Sequence, residues 1–408
     1  YISNPVPTWK KGYLLRVGID HFKEINEKFS MEYGDFILRE TAACISSCMS
    51  EKQRVYKLMA DEFLILDVSS DDTKEAGKLF IKIRESIDQF VEENDFEVMY
   101  TISGGSLALH SSENIEYSKV MKLTDFSLNE AKKRGRNRCY IFDEKDYSRF
   151  IRKGEITQEL REATRNGFQG FVAFYQPVIE AKSGRLSGAE SLMRFSSSKF
   201  GMVSPVEFIP ILEETGLIIP VGRWMMKEAM EKCSQIRKVI PGFKVNINIS
   251  QVQVSKSDVI IDIADEMEKA GLSPEAMNIE LTESDLLEGD INTQHFLKEL
   301  KRMGIKLALD DFGTGYSNFH YLSELDPEII KIDRSFTSSA VADEKEYYLL
   351  KQFCRMIHNL GLKICIEGVE NQEEWAKIQK LEPDFGQGFF WGRPCGYDEF
   401  VRQFIEKK

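Results

Sequence analysis

The chain has 408 residues, 42% hydrophobic and 29% charged, which is ordinary for globular protein and too long for one typical domain. A net charge of −12 argues against general affinity for nucleic-acid polymers or anionic membranes, so an anionic ligand would need local cations. No apolar run reaches the length of a membrane span, and seven scattered cysteines fit a reducing, cytoplasmic setting.

The opening Tyr1-Ile2-Ser3-Asn4-Pro5 reads as a cut within a larger sensor or membrane-anchored protein. Residues 13–19 predict a strand, and residues 20–26 turn into a helix. A second helix is expected over about 34–49, where Cys44 and Cys48, one turn apart with no His nearby, read as core. Residues 55–58 and 63–66 look like a hairpin around Met59-Ala60-Asp61-Glu62. A helix over 73–93, a strand over 98–103 and a helix over 117–133 follow. This alternation predicts an α/β sandwich with one central sheet over residues 1–145.

A charged helical joint is expected over 146–153, either transmitting a rotation between domains or merely spacing them. From 154 to 408, strands are predicted at 171–176, 186–192, 245–249, 277–281, 305–309, 329–332, 363–366 and 385–389. Helical patterns lie between them, and the length suits a (β/α)8 TIM-like barrel. Polar residues fall at or near most strand ends: Glu190, Asn248, Glu280, Asp310 with Asp311, Lys331, Glu367 and Gln387. The carboxyl ends of barrel strands converge on one face, so residues far apart in sequence would share one mouth. Five carboxylates and an Asn, with no compensating Arg cluster, describe a hard-oxygen site for Mg²⁺ or Mn²⁺. Adjacent Asp310 and Asp311 repel each other, and such a pair persists where a cation neutralises it.

Over residues 1–145 the chain resembles the GGDEF (diguanylate cyclase) family. The matching pieces are Asp20-His21-Phe22-Lys23-x-x-Asn26, Gly34-Asp35, Asp61-Glu62-Phe63, Thr101-Ile102-Ser103-Gly104-Gly105 and Lys132-x-x-Gly135-Arg136-Asn137. The resemblance implies a fold that makes cyclic di-GMP from two GTP molecules, with a hairpin glycine pair against the nucleotide and two acidic residues on a metal. Met59 and Ala60 stand where that glycine pair belongs, and Gly18 stands in place of the first metal-binding Asp. The Arg-x-x-Asp product-inhibition motif, which would fall on residues 50–53, is absent. Cyclase activity is therefore not expected. Two readings stay open for this degenerate domain: a scaffold, or a GTP sensor. In the sensor, Asn26 and Asp35 would bond a guanine edge while Lys132 and Arg136 meet phosphates. Capping and turn chemistry is the plain structural alternative for Asn26 and Asp35.

Over about 250 residues, from 154 onward, the chain resembles the EAL family of cyclic di-GMP phosphodiesterases. The resemblance rests on Tyr175-Gln176-Pro177, Glu190-Ser191-Leu192-Met193-Arg194, Asn248-Ile249-Ser250 and Glu280-Leu281-Thr282-Glu283. Asp310-Asp311-Phe312-Gly313-Thr314-Gly315, Lys331-Ile332-Asp333, Glu367-Gly368-Val369-Glu370 and Gln387-Gly388 complete it. Ser191 replaces the Ala of the naming triplet and spares Glu190. The resemblance implies two Mg²⁺ or Mn²⁺ ions, one on Glu190, Asn248, Glu280 and Asp310, the other on Asp310, Asp311 and Glu367. It makes Lys331, Glu367, Asp311 and Glu283 catalytic, with Lys331 orienting the water and its pKa pulled down by the ions.

The same resemblance has Arg194 fork onto a phosphate, unless it pairs with Glu213 or Glu214. Gln176 and Gln387 would line the pocket. Glu283 either tethers the loop from Asp310 to Ser317, linking metal occupancy to dimer contacts, or supplies charge at a helix N-terminus. Asp333 either supports the site or pairs with Arg334 or Lys331. The implied activity is hydrolysis of cyclic di-GMP to linear pGpG by a homodimer formed through the barrel. The alternative is a receptor that binds cyclic di-GMP without cutting it.

Overall fold

The computed structural model describes residues 11–93, 100–110, 116–282, 291–313 and 327–406, and the chain divides between Arg152 and Lys153 into two units. The first unit is built on β1 (Lys11–Ile19), followed by α1 (Phe22–Lys28), α2 (Met31–Cys48), β2 (Gln53–Lys57) and β3 (Glu62–Asp67). Then come α3 (Thr73–Glu93), β4 (Ile102–His110), α4 (Tyr117–Lys133) and β5 (Cys139–Ile141). The sheet order is β2-β3-β1-β4-β5, with only β4 and β5 parallel. Both faces of β1 are buried, which explains its nearly continuous apolar run. Leu15 and Val17 pack with Ile37 and Ile45 of α2 and Phe80 and Ile83 of α3, while Leu14 packs with Val120 and Leu123 of α4. Cys44 and Cys48 are buried in the first of these cores.

One expected strand was misplaced. The strand read at 98–103 begins at Ile102 and runs to His110, and residues 94–99 lie outside the described residues. Gly104 and Gly105 sit in mid-strand rather than at a turn. A Cβ on Gly105 would stand 2.2 Å from Leu128 N of α4, and one on Gly104 2.7 Å from the Phe80 ring of α3. The glycine pair lets helices on both faces close onto the sheet.

Helix α5 (Glu144–Arg165) runs unbroken past the 152/153 division, further than the joint expected at 146–153. In the second unit its Ile156 and Leu160 are buried with Phe171, Phe195 and Phe208. The strands of that unit are β6 (Phe171–Glu180), β7 (Leu186–Ser197), β8 (Gly201–Val203), β9 (Lys244–Asn248), β10 (Met277–Thr282) and β11 (Lys306–Phe312). They continue as β12 (Ile329–Ile332), β13 (Lys363–Ile366), β14 (Phe385–Gly386) and β15 (Cys395–Gly396). An eight-stranded ring closes in the order β6-β14-β13-β12-β11-β10-β9-β7, with β7 paired back to β6.

The ring departs from the all-parallel pattern at β6, which is antiparallel to both β7 and β14. Only residues 181–185 join β6 to β7, far too few for a parallel crossover, and Gly184 takes the left-handed turn at φ 68°. Outward residues such as Val245, Ile247, Ile279, Leu281, Leu309 and Ile330 pack under helices through Met226, Ile263, Phe296 and Ile357. Inside the ring, Val178, Ala308, Ile329 and Cys365 form an apolar plug. Among the described residues no helix is long and apolar enough to cross a membrane.

Candidate active site in the barrel mouth

Strand alternation decides what faces the interior. With Val245 and Ile247 outward, Asn246 and Asn248 of β9 point inward, as do Asn278 and Glu280 of β10 and Lys331 of β12. Lys331, 1% exposed, is the hub. Its Nζ lies 2.8 Å from Glu280, 2.9 Å from Glu367, 3.1 Å from Asp310 and 3.3 Å from Glu190. Gln387 Nε2 donates to Glu190 Oε2 at 2.6 Å and to Gln176 Oε1 at 3.1 Å, and Asn248 Nδ2 donates to Glu190 Oε1 at 2.9 Å. One ring of contacts thus ties six strands together.

Asp310 and Asp311 should project to opposite faces of a regular strand. They do not, because the β11–β12 register slips between Leu309 and Phe312 and Asp311 adopts the left-handed region at φ 53°. The Asp311 amide donates to Asp310 Oδ1 at 3.0 Å. This bulge brings oxygens of Asp310, Asp311 and Glu367 within 4.8 Å of one another, while Glu190, Glu280 and Asp310 form a second such triad. Asp310 belongs to both.

The electrostatics follow from burial and one cation. Burial pushes Glu280 well above the usual carboxylate range, with Glu190 and Asp310 adding repulsion that Lys331 does not cancel. Burial likewise lifts Glu367, to about 8. Asp311 is raised by burial and by Asp310 and Asp333 beside it. Glu190 goes the other way: burial is outweighed by Lys331 and by the amides of Asn248 and Gln387. Lys331 itself, which burial alone would depress, is held well above an ordinary lysine by Asp310, Glu190, Glu280 and Glu367. The lowered value expected beside bound ions concerns the ion-loaded site, where the cations would oppose these four carboxylates.

The donor set fits hard divalent cations. Glu190, Glu280, Asp310, Asp311 and Glu367 present five carboxylates to the single Lys331 ammonium. Two divalent ions would bring that balance to neutrality. Gln387 Oε1 is also buried with no hydrogen-bond donor.

Around this centre, Arg194 pairs with neither Glu213 nor Glu214. Its guanidinium lies 5.6 Å over the Phe174 ring and donates to the Met193 carbonyl at 2.8 Å. Glu213 accepts from Ser250, and Glu214 pairs with Lys153. Asp333 caps the helix Arg334–Ala342 by accepting from the Ser335 amide, and Arg334 pairs with Glu370. Glu283 and the loop from Thr314 to Ser317 lie outside the described residues. Sequence reading missed Asn246, which donates to Glu280 Oε1 at 2.7 Å, and Asn278, which donates to Asn246. Each stands two positions before a nominated residue, on the same strand face, and that period was the available signal.

In the first unit, Ser30 caps α2, so neither Asn26 nor Asp35 does. Asn26 Oδ1 presses on Gly34, where a Cβ would come within 1.8 Å; Asp35 is exposed. Lys132 Nζ lies 3.9 Å from Asp61 and 3.2 Å from where a Gly18 Cβ would be. Lys132 and Arg136 line a groove with Lys133, Phe126 and Phe150. Asp20 is spent on structure, accepting from Thr101, Ser103 and the Asn137 amide.

A barrel with one antiparallel strand and an acidic, lysine-centred mouth defines the class, and comparison with known proteins gives the family. The EAL domain model matches residues 157–394 and the diguanylate cyclase GGDEF domain model residues 5–138. The chain belongs to the EAL family, with a GGDEF domain ahead of the EAL domain. It is 29% identical over 392 residues to the bifunctional diguanylate cyclase/cyclic di-GMP phosphodiesterase MucR of Pseudomonas aeruginosa, covering 95% of this chain and 56% of MucR. The cyclic di-GMP phosphodiesterase NbdA of the same organism is 27% identical over 399 residues, covering 96% of this chain and 50% of NbdA. The chain spans about half the length of the curated relatives it matches. Among solved structures, the PaMucR phosphodiesterase in complex with c-di-GMP superposes with a TM-score of 0.57 at 29% identity, covering 60% of this chain and 99% of that one.

Proposed function

We propose that the barrel hydrolyses one phosphodiester bond of cyclic di-GMP to give linear pGpG, and that the GGDEF unit regulates it without acting as a cyclase. The observation that carries this reading is the buried carboxylate cluster centred on Lys331. Glu190, Asn248, Glu280 and Asp310 would hold one Mg²⁺ or Mn²⁺, and Asp310, Asp311 and Glu367 the other. Bound there, the cations would polarise the phosphodiester and acidify the attacking water. Lys331, buried in the floor of the mouth, would orient the water and offset charge gathering on the phosphate. Arg194, half-buried and with no carboxylate partner among the described residues, offers a planar fork for a phosphate oxygen. Gln387 and Asn248 fix Glu190, and Gln176 fixes Gln387. Water oxygen adds to phosphorus, the P–O3′ bond breaks, and the 3′-oxygen takes a proton, leaving a 5′-phosphate.

The receptor alternative would be favoured by lost ligand positions, and here every assigned position is filled. Against cyclase activity stand Gly18 and the hairpin tip, where Met59 is 87% exposed and Ala60 takes φ 52°. Lys132 beside Gly18 supports GTP as the regulatory ligand, and a homodimer through the barrel completes the reading. Incubation with cyclic di-GMP and Mn²⁺, with and without GTP, tests the hydrolase and the sensor by product analysis. Appearance of pGpG supports the hydrolase, and a GTP-dependent rate supports the sensor. Tight binding without product under Mg²⁺ or Mn²⁺ would make the barrel a receptor.

A further inference from the structure

Glu280, fully buried, is gripped at both oxygens: Lys331 Nζ donates to Oε2 at 2.8 Å and Asn246 Nδ2 to Oε1 at 2.7 Å. Asn246, 7% exposed, is itself held, its Oδ1 by Asn278 Nδ2 at 2.8 Å and its backbone carbonyl by Ser191 Oγ at 2.8 Å. A carboxylate that binds a cation is ionised and only accepts, which suits the orientation seen, with the Asn246 NH₂ toward Glu280 and its oxygen toward Asn278. The donors therefore run one way, from Asn278 through Asn246 to Glu280. Placing two amides inside a barrel is costly, and the cost shows at Asn278 Oδ1, which is buried with no hydrogen-bond partner. Other inward positions near this depth are filled by Val178, Ala308, Ile329 and Cys365.

We infer that Asn246 is a positioning residue that fixes how Glu280 meets a cation. By holding Oε1 while Lys331 holds Oε2, it fixes the plane in which the Glu280 carboxylate would face the ion. The inference rests on the divalent-cation reading of the site. Removing such a supporting partner typically costs 10–100-fold in metal affinity.

The test is Mn²⁺ binding to the whole chain, by calorimetry for affinity and electron paramagnetic resonance for the coordination of the bound ion. Asn246→Leu keeps the branched shape with somewhat more bulk and removes the donor; a roughly 10–100-fold loss of affinity with an altered resonance spectrum is expected. Asn278→Ala leaves Asn246 in place but frees its amide to rotate, and a loss of the same sign and smaller size is expected. If Asn246→Leu fails to fold, Asn278→Ala decides alone. Wild-type affinity and spectrum in the folded variants would overturn the inference while leaving the metal site standing. A wild-type chain that binds no Mn²⁺ would overturn both.

Discussion

Replacing Lys331 with Met removes the ammonium that Glu190, Glu280, Asp310 and Glu367 share, at almost unchanged length and with no exposed surface to absorb the change. Breaking a buried charge arrangement by deleting one partner typically costs ~3–5 kcal/mol. The pH dependence has a definite sign. Lys331 is raised above its unfolded value, so its contribution is fully present below the unfolded lysine pKa and does not vary between pH 5.5 and 8. In the variant the carboxylates remain, and loss of the ammonium that lowers Glu190, Glu280 and Glu367 raises all three above their wild-type values. Their destabilisation therefore grows as pH climbs above the unfolded carboxylate value. Each pH unit below 8 relieves up to ~1.4 kcal/mol for every additional carboxyl that stays protonated.

For a unit of this size a loss of ~3–5 kcal/mol lowers the melting midpoint by ~6–20 °C. Thermal melts of the whole chain in EDTA, followed by tryptophan fluorescence, read it out, because Trp224, Trp375 and Trp391 all lie in the barrel unit. The expected result is a large deficit at pH 8 that shrinks at pH 5.5. A midpoint equal to wild type at pH 8, or a deficit that deepens in acid, would refute the reasoning.

Glu190→Ala should lower cyclic di-GMP hydrolysis by about 10³-fold or more while the circular dichroism spectrum stays native, since it removes one ligand from the first triad; wild-type turnover would dismiss the assignment. Metal binding should release protons. Glu367, lifted to about 8, is largely protonated at pH 7 in the metal-free chain, and burial raises Glu280 as well, so Mn²⁺ would displace at least about one proton there. Calorimetry in buffers of different ionisation enthalpy checks this, and identical heats at pH 7 would contradict it. Restoring the hairpin glycines with Met59→Gly and Ala60→Gly should yield no cyclic di-GMP from GTP, because Gly18 still lacks its carboxylate and Lys132 stands beside it. Detectable product in a chromatographic assay would reopen the cyclase reading.

The fold was legible where periodicity and length agree. The barrel class could be read because apolar strands alternate with helical patterns. The reversal of β6 was also available, since residues 181–185 cannot make a parallel crossover. The position of β4 was not, because Gly104 and Gly105 look like a turn until helices are packed on both sides. The residues nominated from strand ends do meet around Lys331, but the amides beneath them were overlooked. A scan for polar residues at strand ends stops one layer too high, and Asn246 and Asn278 lie in the layer below.

The bulge at Asp311 shows most clearly what an adjacent carboxylate pair conceals. An Asp-Asp dipeptide announces repulsion, yet only the register slip and the left-handed backbone make both side chains serve one mouth. The two requirements can be separated. Asparagine tolerates this backbone region, so Asp311→Asn should keep the bulge while removing one carboxylate, weakening the second triad and leaving Glu190, Glu280 and Asp310 intact. Valine does not tolerate it, so Asp311→Val should lose the same ion and in addition ~1–2 kcal/mol of stability through backbone strain. Mn²⁺ titration is expected to fall from two ions to one in both variants, with a lower melting midpoint only for valine. Equal midpoints would show that the strain is not held at this residue, and two ions bound in Asp311→Asn would remove Asp311 from the site.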